Sequence, residues 1–170
     1  MRSTTLKWML LMLTVLAAVV LLVQLYWINT VYYFEQNVFN TNVVKSIRGV
    51  FEDMHIDDNP GTQLQKLIER PNPSSFIIRV DTLPQRDSLI NFFYSEFEDF
   101  NVFTDCKMAV YSDSAGRFLY QAYLPSAATT HLQTSNHPRY TSIDLAAAPR
   151  DYSYILLYFP HRQQYIIHQL

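Results

Sequence analysis

The chain has 170 residues, which leaves room for one folded domain of ordinary size beside a long apolar start. It is 49% hydrophobic and 15% aromatic, enough to build a packed core, so its composition excludes a disordered chain. All 15 acidic residues lie after Asn29, and only two of the 13 basic residues precede it. The part after Asn29 is therefore acidic and lacks the basic face that a nucleic-acid partner requires. No run of Lys or Arg predicts binding to an anionic membrane surface.

The segment from Trp8 to Ile28 contains 21 residues without a charge. As a helix rising about 1.5 Å per residue it would be about 31 Å long, close to a hydrocarbon thickness of about 30 Å. The only two basic residues ahead of Asn29 come before this segment. The positive-inside rule then predicts a transmembrane helix at 8–28, a cytoplasmic N-terminus at 1–7 and residues 29–170 on the opposite side.

A cleavable signal peptide is the alternative interpretation of this segment. Its apolar stretch usually has about 7–15 residues and ends in a small-x-small site. Here the small pair Ala17-Ala18 lies in mid-span, and the exit is bulky. Trp8 at the start and Tyr26 with Trp27 at the exit are typical of interfacial membrane anchors. We therefore predict an uncleaved, single-pass membrane anchor.

Residues 29–56 predict a long amphipathic helix that continues outward from the membrane. Neither Pro nor a turn cluster interrupts them, although Gly49 weakens the pattern and the apolar seam slips near 40–42. This helix can pack on the domain or against the same helix in a second copy, giving a homodimer. Apolar residues recur in it at steps of three and four: Val31, Phe34, Val38, Val44, Ile47, Phe51 and Met54.

The next elements begin after a turn at 57–61. Thr62 can cap a short helix, carrying Leu64, Leu67 and Ile68, that ends before Pro71. Residues 75–81 predict a strand. After Pro84, either Asp87 or Ser88 can cap a helix. Its apolar stripe predicts core packing and consists of Leu89, Phe92, Phe93, Phe97 and Phe100.

The last third of the chain predicts a hairpin and two further strands. Alternating apolar residues at 106–110 and 118–124 flank a turn at 112–116. A weaker strand is predicted at 140–145, a central strand covered on both faces at 154–159, and a final helix after Pro160. The order predicts an α+β fold in which helices flank an antiparallel sheet of about five strands, the general layout of a PAS-like sensor.

The sequence contains no recognisable active site, metal site or cofactor motif. The three glycines stand far apart, which excludes a phosphate-binding loop and a dinucleotide fingerprint. His131 and His137 have neither the spacing nor the neighbouring residues that a metal site requires. The lone Cys106 predicts a buried, inert thiol, with an intermolecular disulfide as the alternative. We expect a protein that is not an enzyme and needs no cofactor.

Several short segments resemble one group of bacterial two-component sensor histidine kinases. The exit of the membrane helix at 24–29 is similar to their QLYWI-type exit, and 109–111 is similar to the strand after their sensor helix. The other matching residues belong to an F-x-x-N-V pattern and to an F-P-x-R segment that leads to a second membrane helix: Phe39, Asn42, Val43, Phe159, Pro160, Arg162 and Tyr165. The second membrane span, the phosphoacceptor helix and the nucleotide-binding domain of these kinases are not in this sequence.

The resemblance implies the sensory input module alone, in a bacterial inner membrane with residues 29–170 in the periplasm. The alternative is a single-pass envelope interaction or assembly protein without signalling output. The long polar segment 125–139 predicts either a loop that senses a small ligand or periplasmic protein or a plain connector. The ligand-binding candidates in and beside it are Tyr120, Tyr123, His131, His137, Arg139 and Tyr140.

Overall fold

The structure is a computed structural model, and it describes residues 2–56, 64–126 and 150–169. Within these ranges the chain is an α+β protein with one very long N-terminal helix and a five-stranded antiparallel sheet. The elements are α1 (Arg2–Met54), a 3₁₀ turn (Leu64–Lys66), β1 (Ile68–Asn72), β2 (Ser75–Arg79), α2 (Arg86–Asp99), β3 (Cys106–Ser112), β4 (Arg117–Leu124), β5 (Tyr154–Tyr158) and α3 (Arg162–His168).

The strands lie in the order β1-β2-β5-β3-β4, and every neighbouring pair is antiparallel. β5 is central, because Ile155 is paired with Ile78 on one side and with Val110 on the other. The four residues Tyr154–Leu157 are all buried, which confirms the predicted strand covered on both faces. The predicted hairpin is confirmed as β3 and β4.

The alternation of side chains along the strands divides the core into two clusters. The larger cluster lies between the sheet and the helices, and its sheet residues include Phe76, Met108 and Leu157. The predicted apolar stripe of α2 joins it, with Leu89, Phe93 and Phe97 buried. The smaller cluster lies on the opposite face and consists of Ile77, Ala109, Tyr111, Tyr154 and Leu156.

The helix α1 has two halves with opposite surroundings. Its apolar window has a mean hydropathy of 2.5 and is 0% buried, so it is long and apolar enough to cross a membrane. From Phe39 onward the helix packs on α2 and α3. The continuation predicted for 29–56 is confirmed as far as Met54. The buried residues of this second half are Phe39, Val43, Ile47, Val50 and Phe51.

The first part of the predicted apolar face of this helix does not pack on the domain. Phe34 is 63% exposed and Val38 is 36% exposed, whereas Phe39 is only 3% exposed. One residue turns a helix by about 100°, so the choice between Val38 and Phe39 decides which face meets the domain. Phe39, and not Val38, faces the domain because its ring packs against the rings of Phe159 and Tyr165.

Three further predictions need correction or lie outside the described residues. The short helix expected up to Pro71 is a single 3₁₀ turn, and Ile68–Asn72 form the edge strand β1. An edge strand tolerates Pro, since one side of it has no partner strand. The helix α2 begins at Arg86 after the N-cap Gln85, so neither Asp87 nor Ser88 is its cap. The strand predicted at 140–145 lies outside the described residues.

Candidate functional site

The two described members of the predicted ligand site lie on opposite faces of β4. Tyr120 faces the helices, where it packs against the larger core cluster and its hydroxyl donates a 2.9 Å hydrogen bond to the carbonyl of Pro84. Burial raises the pKa of the Tyr120 hydroxyl to about 12, although the charge of Arg86 acts in the opposite direction. Tyr123, three residues further along the strand, faces the other way.

The hydroxyl of Tyr123 donates a 2.6 Å hydrogen bond to Oδ2 of Asp105. The other oxygen of this carboxylate accepts a 2.9 Å bond from the backbone N–H of Ser126. Asp105 thereby ties the beginning of the hairpin to its end. Burial raises the pKa of Tyr123, and its bond to Asp105 raises it further. Tyr120 and Tyr123 do not share a pocket, and both have structural partners.

The other four ligand candidates, His131, His137, Arg139 and Tyr140, lie outside the described residues. The ligand site at 125–139 as a whole therefore remains a prediction. Beside its described end there is a cavity of about 10 Å³, enough for about one water molecule. Its lining comes from α2, the segment after α2 and the end of β4: Tyr94, Phe97, Glu98, Val102, Thr104, Leu124, Pro125 and Ser126.

The described ranges contain no group of three or more His, Cys, Asp or Glu residues that could hold a metal ion. Cys106 is a fully buried free thiol, as predicted. Burial raises its pKa far above the ordinary value, so the thiolate needed for disulfide exchange or alkylation is scarce. An introduced surface cysteine can consequently be labelled selectively.

A second region of interest is the contact between α1, α3 and the end of β5, which we call the junction. The ring centroid of Phe39 lies 5.3 Å from that of Phe159 and 5.8 Å from that of Tyr165. The hydroxyl of Tyr165 donates a 3.2 Å bond to the carbonyl of Asn101, which adds the end of α2 to the contact. The rise from Ile28 to Phe39 is about 16 Å along the helix, so the junction lies on the side of the domain that is nearest the apolar part of α1.

A second contact fixes α1 on α2. The buried hydroxyl of Ser46 lies 3.0 Å from the carbonyl of Asn42, one turn earlier in α1. It also lies 3.1 Å from the carbonyl of Glu96, which belongs to α2. Gly49 lies directly beneath the carboxylate of Glu96, where a Cβ atom would collide with it. Gly49, which in the sequence weakened the helical pattern, therefore leaves room on α1 for the carboxylate of Glu96.

Glu96 sits in this contact beside acidic neighbours, and this makes the contact sensitive to pH. Burial, Asp53, Asp99 and Glu52 all raise its pKa, in that order of importance. The folded state therefore holds the Glu96 proton more tightly than the unfolded state. Its contribution to stability is present at low pH and is lost as the pH rises through the raised folded pKa.

We expect Glu96→Gln to raise the free energy of unfolding at neutral pH by a few tenths of a kcal/mol, because Gln is isosteric and uncharged. At a low pH, where a glutamate is protonated in both the folded and the unfolded state, the gain should vanish. Urea unfolding of the two proteins at both pH values measures the difference. Glu98→Gln, at an exposed position of the same helix, is the control for removing a carboxylate from α2. An equal gain at both pH values would contradict the assignment.

The predicted membrane anchors lie on the surface of α1, where lipid can reach them. Trp8, Tyr26 and Trp27 are 68%, 71% and 66% exposed.

A scan against protein-family models, a search of curated proteins and a search of solved structures each found no match.

Proposed function

We propose that this chain is a non-catalytic sensory input module of a two-component signalling system, anchored in a bacterial inner membrane. The observation that carries the proposal is the continuity of α1. One helix of 53 residues contains both the apolar span and the helix on which the folded domain packs. A change in the packing of the domain would therefore move the membrane span without an intervening hinge.

The resemblance to sensor histidine kinases gains support from where its residues lie. Phe39 belongs to one matching segment, whereas Phe159, Arg162 and Tyr165 belong to another more than 100 positions later. Phe159, Arg162 and Tyr165 each contact Phe39 at the junction. Segments that match in a signalling family thus meet where the membrane helix enters the domain. The proposal includes a PAS-like layout, in the sense of one antiparallel sheet with helices against it.

The coupling is tested by following the end of the span while the domain is perturbed. In Ile28→Cys the new thiol lies on the helix surface, and the buried Cys106 contributes no labelling background. Tyr165→Ala removes the contact with Phe39 and the bond to Asn101. In vesicles it should change the alkylation rate at position 28 at least twofold. Leu119→Ala, at a half-exposed position on β4, is the control and should leave the rate unchanged. Equal rates in all three proteins would contradict coupling.

The proposed topology has residues 1–7 in the cytoplasm and the domain in the periplasm, as the two basic residues before the span indicate. A reporter that functions only in the periplasm should be active when it is fused after Leu170. A reporter that functions only in the cytoplasm should be inactive at the same position. The mature protein should retain its N-terminus, since cleavage at the span would cut one continuous helix. Mature chains beginning after about residue 20 would contradict the anchor.

We also propose that a second copy pairs through the outer face of α1. Val31, Phe34 and Val38 continue a spacing of three and four residues from Gln24 and Trp27. Gln24 is a polar residue within the apolar span, where an interhelical hydrogen bond favours association. Phe34 is 63% exposed although it lies beyond the span. The face is therefore apolar from the membrane to the edge of the domain.

We expect Phe34→Cys to form a disulfide-linked dimer under mild oxidation in the membrane, because paired helices bring equivalent positions together. Tyr33→Cys, which is also exposed but turned by about 100° around the helix, is the control and should be linked at least fivefold less. Equal crosslinking at both positions would contradict a specific pair. A heterologous partner linked through Phe34→Cys would instead favour the envelope interaction protein, the alternative function that this exposed aromatic residue supports.

A further inference from the structure

We propose that α3 detaches from α1 while the rest of the domain stays folded, because α3 begins with a buried cation that has no counter-ion. This goes beyond the proposed signalling role, since it concerns which element of the domain moves and would hold whatever the output of the domain is. Its test follows α3 and not the membrane span, so the two proposals can fail separately.

The buried cation is Arg162, the first residue of α3, which is only 1% exposed. Its Nε atom is buried without a hydrogen-bond partner. Its Nη2 atom donates one long bond of 3.4 Å to Oδ1 of Asn40 on α1. The guanidinium also lies over the ring of Phe39, 5.4 Å from the ring centroid. A guanidinium has five N–H donors, so α1 replaces only a small part of the hydration that Arg162 loses on docking.

No carboxylate offsets the charge of Arg162 within the ranges 2–56, 64–126 and 150–169. The ion pairs found there are formed by three other arginines. Asn40 is neutral, and a long bond to a neutral amide is weaker than a bond to a carboxylate. Removal of a cation from water without a charged partner disfavours the state in which it is buried. The charge of Arg162 therefore opposes the docking of α3.

The contacts that favour docking come from the other side chains of α3. Ile166 is 1% exposed, and the ring of Tyr165 lies 5.8 Å from that of Phe39. The hydroxyl of Tyr165 donates a 3.2 Å bond to the carbonyl of Asn101. These contacts must also hold α3 in helical form, because it has only seven residues and its N-cap, His161, makes no side-chain hydrogen bond.

The adjoining strand β5 has no such opposing term. It pairs with β2 on one side and with β3 on the other, and its first four residues are buried and uncharged. Elements of one domain open separately when their local stabilities differ. The short helix with the uncompensated cation is therefore expected to open before the central strand to which it is joined.

Two substitutions of opposite chemistry should hold α3 on α1. Asn40→Asp places a carboxylate oxygen where Oδ1 now lies, 3.4 Å from the guanidinium, and so supplies the missing counter-ion. Arg162→Met removes the charge and keeps an unbranched side chain that can fill the same space. Asn37→Asp is the control for the first substitution, because it makes the same change at an exposed position one turn earlier on α1.

Hydrogen–deuterium exchange of the full chain in nanodiscs, resolved by mass spectrometry, measures the opening of α3. In the wild type, the amides of 162–168 should exchange at least tenfold faster than those of 154–158, after correction for their intrinsic rates. Asn40→Asp and Arg162→Met should each slow the exchange of 162–168 at least fivefold, and Asn37→Asp should leave it unchanged. Ordinary fraying of a short helix does not depend on the charge of Arg162, so neither substitution would slow it.

Unchanged or faster exchange of 162–168 in either folded variant would overturn the proposal. If Arg162→Met does not fold, Asn40→Asp decides alone, because Asn40 is only half-buried and the substitution is isosteric. Equal exchange of 162–168 and 154–158 in the wild type would also overturn it, since α3 would then open only together with the core.

Discussion

Replacing Phe159 with Ala is expected to lower the free energy of unfolding of the domain by about 3–5 kcal/mol. Phe159 is fully buried, and its ring packs against those of Phe39, Phe76 and Phe97 at 5.3, 5.9 and 5.8 Å. The ring therefore joins α1, α2 and the sheet, and no single neighbour can move to fill the space that it leaves. Urea unfolding of the full chain in detergent, followed by near-ultraviolet circular dichroism, measures the loss.

The control for this substitution is Phe103→Ala, which removes the same side chain from a position that is 37% exposed. It should cost about 1 kcal/mol or less, because less apolar surface returns to water. An equal decrease in the free energy of unfolding of the two variants would show that the core does not depend on packing around Phe159. The junction would then lose its role as the contact between the membrane helix and the domain.

Replacing Tyr33 with Pro is expected to uncouple the span from the domain while leaving each of them intact. Proline removes one backbone hydrogen bond of the helix and clashes with the preceding turn, at a cost of about 3 kcal/mol. Tyr33 is 57% exposed and lies between the end of the span and the first buried residue of α1, so its side chain does not hold the core. The twofold change in labelling at position 28 caused by Tyr165→Ala should disappear in this background.

Tyr33→Ala separates the backbone effect from the side-chain effect. Alanine keeps the helix, so the labelling at position 28 should still respond to Tyr165→Ala. The urea midpoint of the domain should be similar in the Ala and Pro variants, since the break lies outside the packed part. A labelling response that persists in Tyr33→Pro would mean that coupling does not require a continuous helix.

The parts of the fold that the sequence predicted well are those with strong local patterns. The apolar half of α1 and the strand β5 are long or continuous apolar runs, and the hairpin 106–124 alternates around a clear turn. The edge strand β1 was missed because Pro71, judged from its neighbours in the sequence alone, suggests the end of a helix. Its strand character depends on pairing with β2, which no local pattern contains.

The candidate sites were harder to predict than the fold. The opposite faces of Tyr120 and Tyr123 follow from the alternation of a strand, so the sequence already carried the signal that separates them. The hydrogen bond from Tyr165 to the carbonyl of Asn101 had no such signal, because it depends on the meeting of two distant segments. The same holds for Phe39, whose selection over Val38 depends on a partner more than 100 residues away.

The central claim is that the membrane span and the core helix of the domain form one rigid rod. Spin labels at Val19→Cys and Lys45→Cys test it directly, because both positions are exposed on α1 and Cys106 is buried. A continuous helix places the two backbone positions about 39 Å apart. Double electron–electron resonance in nanodiscs, with the labelled protein diluted in unlabelled protein so that distances within one chain are measured, should give one narrow distance distribution near this value. A broad distribution, or one centred well below it, would contradict the rod and with it the proposed mechanism.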